Sequence, residues 1–203
     1  MKTYNDMELA VGINCGDTST DSDNWLKYTQ AMRREVIADA EMEIFRKADI
    51  GVFPKLLSEP LNATEYIKNN ILTLPNEYSN LLELYHQTAA GVRTYLPLKD
   101  REWDRLQDGL NFSFAFDPYY FNYGERKFQL RHSITTVETF YMLAYKFPQT
   151  YDPAFDWGNA YTELEGYEED IINGATGKLL LKVDQIDKAG VYLKLFENCL
   201  AIL

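Results

Sequence analysis

The stretch Asn111–Ile134, NFSFAFDPYYFNYGERKFQLRHSI, holds seven aromatic residues in the twelve positions from Phe112 to Tyr123. Either these rings form a platform that stacks sugars or bases, or they are the inward row of a sheet. Alternation decides most of them. Phe112, Phe114 and Phe116 fall on one side of an extended chain, with the small Ser113 and Ala115 between them. Successive strand side chains point to opposite faces, so the three rings share one face. Beyond Pro118, Phe128, Leu130, His132 and Ile134 alternate with Gln129, Arg131 and Ser133. In TVETFYMLAYKF, Val137, Tyr141, Leu143, Tyr145 and Phe147 tend to one face. Three consecutive strands with short connections predict an antiparallel meander. The strand rings are core, because exposed aromatics at this density drive association.

Tyr119, Tyr120, Phe121 and Tyr123 are the exception. They fall in the turn after Asp117-Pro118 and are expected to protrude as a hairpin tip, outside the core. Tyrosine suits such a place, since a rigid ring with a hydrogen-bonding end anchors interfaces at low entropic cost. These four residues are the candidate subunit or tail interface. On this reading, serine at 119, 120 and 121 weakens assembly and leaves the monomer folded.

The period of two extends upstream over a β-rich middle at about residues 62–147. NNILTLPNEYSNLLELYHQT reads as a strand closing at Pro75, a turn at Asn76-Glu77 and a second strand over Leu81–Gln87. GVRTYLPL is another short strand, and DREWDRLQDGL is a short helix or turn with Gly109 as its C-cap. Helical signals flank this middle. Over about 22–48, Trp25, Tyr28, Met32, Val36, Ala40 and Ile44 recur at steps of three and four. Arg33, Arg34, Glu35, Asp39, Glu41 and Glu43 fall mostly off that stripe, and Asp21, Ser22 or Asp23 would cap it. YNDMELAVGI is a shorter helix near the N-terminus. Over about 163–203, Tyr167, Ile171, Ala175, Leu179 and Val183 form one stripe. Ile186, Ala189, Leu193, Phe196 and Leu200 form another, and the short link predicts an antiparallel helical hairpin. The expected fold is a single α+β domain, 1–203: a small helical bundle, made by the N-terminal helix and the C-terminal hairpin, beside an antiparallel β-sheet.

With 203 residues, 46 % hydrophobic and 25 % charged, the chain can bury a core. Its apolar runs are too short for a membrane span, and MKTYNDMELAVG has no signal-peptide pattern. The sequons at Asn62 and Asn111 are therefore expected to stay unmodified. Cys15 and Cys199 read as reduced thiols. A net charge of −11 repels phosphate backbones and argues against gripping nucleic acid.

No enzyme site, cofactor or metal site emerges. GATGKL at 174–179 lacks the spacing and hydroxyl residue of a phosphate-binding loop. DTSTDSDN fails the EF-hand spacing. His86 and His132 have no companion ligands, and Cys199 sits on an apolar helix face without an activating base. Glu163, Glu165, Glu168, Glu169 and Asp170 read as a helix N-terminus complementing the dipole; their use as hydrolase carboxylates is the weaker alternative.

Three stretches, YTQAMRREVIADAEMEIFRK (28–47), NNILTLPNEYSNLLELY (69–85) and EEDIINGATGKLLLKVDQIDKAGVYLKLFENCLAIL (168–203), together resemble the head-to-tail adaptor (connector) proteins of tailed bacteriophages. The resemblance implies a helical bundle beside a sheet, and a structural virion protein of the neck, assembled in the host cytoplasm. It implies a ring, usually of twelve copies, with the portal protein on one side and a tail or nozzle protein on the other. DNA would pass through without tight binding, and twelve copies would carry about −132 charges around it. Some adaptors dock into the portal through a long C-terminal tail. Here the sequence stops at Leu203 after a helix, so an N-terminal segment or a loop is expected to substitute. The alternative is a carbohydrate- or receptor-binding tail module using Tyr119, Tyr120, Phe121 and Tyr123 as a stacking platform.

Overall fold

A computed structural model describes residues 2–17, 28–48, 52–100, 118–131, 139–151 and 155–203. The expected strand at 112–116, the expected helix or turn at 101–110, the sequon residue Asn111, the caps at 21–23, and Trp25, His132, Ile134 and Val137 lie outside them. The fold is α+β, in two compact units: Met1–Leu56 with Phe147–Leu203, and Leu57–Lys146.

The first unit is helical. Helix α1 (Tyr4–Asn14) starts at a capping box, in which Thr3 accepts from the Asp6 N–H and Asp6 accepts from the Thr3 N–H. Reciprocal caps of this kind satisfy two otherwise orphaned donors. Helix α2 spans Gln30–Lys47 and is capped by Thr29, whose hydroxyl accepts from the Met32 N–H. The expected start near residue 22 is thus corrected, and Tyr28 precedes the helix. Val36, Ala40 and Ile44 are fully buried as the stripe predicts, but so are Ile37, Arg33 and Glu41, which lie off it. The buried arc is wider than a row of steps of four, and each of the two polar residues meets partners there. Arg33 pairs with Asp17 at 3.5 Å.

Helix α3 (Glu168–Leu181) and helix α4 (Ile186–Leu200) form the expected hairpin. Asp184, at φ 57°, turns the link. A Cβ on Gly174 would lie 2.8 Å from the Phe196 ring, and one on Gly177 would lie 2.7 Å from Leu193 Cγ and 3.1 Å from its backbone nitrogen. The two glycines of GATG thus let α4 approach α3 closely, a packing role for the motif that looked like a phosphate loop. Gly177→Val is expected to destabilise by about 3 kcal/mol, since overpacking outweighs the small gain in helix propensity. A Cβ on Gly190 would meet nothing within 4 Å, so Gly190→Ala should stabilise by about 1 kcal/mol. Urea midpoints of the two variants should move in opposite directions.

The second unit is β-rich and has two sheets in place of one. Its strands are β1 (Leu61–Asn62), β2 (Ile67–Lys68), β3 (Ile71–Thr73), β4 (Tyr78–Gln87), β5 (Arg93–Tyr95), β6 (Leu98–Lys99), β7 (Tyr119–Gly124), β8 (Lys127–Arg131) and β9 (Thr139–Lys146). The orders are β1-β9-β4-β5 and β2-β3-β8-β7-β6, antiparallel except for the β6–β7 pair. The meander is corrected: β7 and β8 form a hairpin, while β9 leaves for the other sheet and pairs along β4. Asn69 and Asn70, at φ 53° and 59°, make the tight β2–β3 turn, a conformation asparagine tolerates and hairpins favour. Leu84, Phe140, Met142 and Ala144 from one sheet share a core cluster with Leu72, Tyr120, Phe128 and Leu130 from the other. The inward row of β9 is therefore Phe140, Met142 and Ala144. Tyr141 and Leu143, expected with Tyr145 on the core face, are half-buried on the reverse, where Tyr141 stacks on Tyr85 at 5.4 Å.

Candidate functional site

The four aromatic candidates do not form a protruding tip. Tyr119, Tyr120, Phe121 and Tyr123 all lie in β7, and the hairpin turns at Glu125-Arg126. Tyr119, Tyr120 and Phe121 are only 4 %, 3 % and 4 % exposed. Tyr120 joins the core and meets the Phe128 ring edge-on at 5.9 Å. Pro118 stands immediately before the strand rather than in a turn. The physical reason is the partner strand: β8 supplies a ladder from Arg131 back to Lys127, with a bulge between Asn122 and Gly124, which extends YYFNYG. Only Tyr123, 50 % exposed, remains open to a partner. A four-ring stacking platform is thereby ruled out.

A different surface is open. Val191 and Leu195, one turn apart on α4, and Ile202 in the turn that follows are 63 %, 48 % and 87 % exposed. On a 3.6-residue period they fall on one line, which the exposed Asn198 interrupts between Leu195 and Ile202, opposite the buried Ala189 and Phe196. Ile186, expected on the inward stripe, is 68 % exposed. Helix α4 is thus apolar on two opposite sides and uses only one within its own unit, whereas a surface helix ordinarily presents polar residues outward. Asp187, Lys188 and Lys194 border the exposed line. Periodicity alone follows the inward stripe and passes over the signal, which is VYLKLFENCLAIL carrying apolar residues at 191, 195 and 202 as well.

The acidic residues at 163–170 go to separate partners. Glu163 accepts from the Gln149 N–H, Glu165 pairs with Lys55, Glu168 accepts from the Gly166 N–H, and Glu169 pairs with Lys2. Asp170 is pushed above the usual carboxylate range by burial, and it bonds Cys199. Burial and that carboxylate push the Cys199 thiol up to about 11, leaving little thiolate at neutral pH. His86 is buried in β4, its ring 5.9 Å from that of Phe140. Among the described residues no group of three or more His, Cys, Asp or Glu is placed to hold a metal ion, and no helix is long and apolar enough to cross a membrane.

One buried carboxyl escapes a reading of the sequence. Glu41 is fully buried, and it accepts from the hydroxyls of Tyr4, at 2.5 Å, and of Thr150 and Thr162. It ties α1 and α2 to Thr150 and Thr162. Desolvation raises its pKa, the three hydroxyl bonds oppose that, and Glu163 adds to the rise. A carboxyl raised above its unfolded value of 4.5 adds stability that is full below that value and is lost as pH climbs through the folded pKa. The helical unit should therefore gain from this group as pH falls from neutral, by at most about 1.4 kcal/mol per pH unit. Denaturant midpoints measured against pH should show this component in the parent chain and lack it in Glu41→Gln.

No protein-family model matches the chain, and no curated protein matches it in sequence.

Proposed function

We propose that this chain is a non-enzymatic structural protein of a tailed-phage virion, assembling with copies of itself into a connector ring between portal and tail. The observation that carries the reading is the second apolar line of α4, Val191, Leu195 and Ile202. Apolar area of that kind on a rigid helix is what a neighbouring subunit covers. A second copy is the occupant the chemistry favours. A chain of net charge −11 repels its own kind at long range, and the mixed-sign border of Asp187, Lys188 and Lys194 offsets that repulsion locally.

The resemblance of 28–47, 69–85 and 168–203 to head-to-tail adaptors supplies the ring, the portal and nozzle as flanking partners, and twelve as the expected number. The same negative charge suits a DNA channel, because phosphate contacts that tighten binding would also resist passage. Co-sedimentation with purified portal tests the neck assignment. The reading predicts a stable portal complex that the nozzle protein then joins; a chain that never sediments with portal contradicts it.

A further inference from the structure

The buried carboxyl of Glu41 is shared unequally. Its Oε1 accepts from the hydroxyls of Tyr4 and Thr162, whereas Oε2 meets only that of Thr150. The asymmetry fits a neutral acid: a carbonyl oxygen takes two donors, and the other oxygen carries the proton and donates to Thr150. Thr150 lines a surface pocket with Asp39, Glu43, Arg46 and Lys178. Its own O–H can then turn to water, which gives the Glu41 proton a route to solvent.

No cation offsets a negative Glu41. Among the described residues no ion pair reaches it, and the charged group acting on it is Glu163, a second acid. On the α1 side it faces Tyr4, whose hydroxyl is kept neutral by burial and then by Glu41 itself. On the Thr150 side the pocket holds two acids and two bases, with Glu43 and Lys178 already paired. An ionised carboxyl buried without a counter-ion is strongly disfavoured. What Glu41 pins is small. Thr3 pairs antiparallel with Tyr161, and the Tyr4 N–H donates to the Ala160 carbonyl at 3.0 Å. Tyr4 and Thr162, one from each side of this pair, both reach Glu41 on α2.

We propose that Glu41 is a proton-operated latch: protonated, it holds the clip of Thr3–Tyr4 and Ala160–Thr162 on α2, and once ionised it lets the clip open to water. The clip moves in preference to α2, whose row Val36, Ala40 and Ile44 is fully buried. The closed latch binds the proton more tightly than the open one. It is therefore firmest below 4.5, the ordinary value of this group, and loosens as pH rises towards the closed-state value. This is a local opening, separate from global unfolding, and it does not depend on ring assembly.

Amide hydrogen exchange of the full chain, corrected for the intrinsic effect of pH, tests this between about pH 5 and 9. The Tyr4 N–H should lose protection by up to about tenfold per pH unit and then level off. Its exchange should be indifferent to low urea, unlike that of the Ala175 N–H in the buried part of α3. Glu41→Gln, an isostere of the neutral acid, should keep Tyr4 protected at every pH. Should that variant fail to fold, the pH and urea dependence of the parent decide alone. Protection at Tyr4 that is independent of pH in the parent, the same loss in Glu41→Gln, or a urea response matching Ala175 would overturn the proposal.

Discussion

A chain carrying serine at 119, 120 and 121 is expected to lose the fold of its β unit. Each of the three rings is almost wholly buried in β7. Truncating a buried aromatic costs about 3–5 kcal/mol, and serine also brings a hydroxyl into the space left behind. Neighbouring truncations do not simply add, but roughly 10 kcal/mol is as large as the whole stability of an ordinary domain. Tyr123→Ser, at an exposed position of the same strand, should stay within about 0.5 kcal/mol. Near-ultraviolet circular dichroism and urea unfolding check both. A triple variant with native spectra and an unshifted midpoint would place those rings outside the core after all.

The second large effect concerns assembly. Val191→Ser, Leu195→Ser and Ile202→Ser together should abolish the proposed ring while leaving the monomer folded. The three side chains are 63 %, 48 % and 87 % exposed, so their loss costs the monomer little. An interface anchor is worth about 2 kcal/mol or more, which is roughly thirtyfold per residue. Three such losses at every contact of a ring leave it dissociated at micromolar concentration. Analytical ultracentrifugation of parent and variant side by side distinguishes lost assembly from lost folding, since a misfolded chain would aggregate.

The elements are more legible in the sequence than their arrangement. Both helical regions, the strand ending near Pro75, the turn at Asn76-Glu77 and the closing hairpin follow from local signals: period, caps and turn residues. What misleads is phase and partnership. TFYMLAYK is apolar on both faces, so alternation alone cannot tell Phe140, Met142 and Ala144 from Tyr141, Leu143 and Tyr145. Pro118 suggests a turn, yet proline is tolerated at a strand start, and β8 then extends the aromatic run. Arg33 and Glu41 read as solvated because charge usually is; their partners Asp17, Tyr4, Thr150 and Thr162 are distant in sequence. Of the candidate interface only Tyr123 is accessible. The α4 line is visible as period, but the sequence has no tertiary frame to show which of its two sides is spare.

Mass photometry of the purified chain, alone and with portal, tests self-assembly most directly. The account predicts a species near twelve copies of the 23.6 kDa chain, roughly 280 kDa, absent when Val191, Leu195 and Ile202 are serine. A parent chain that remains a 23.6 kDa monomer at every concentration, with portal present or not, would contradict it.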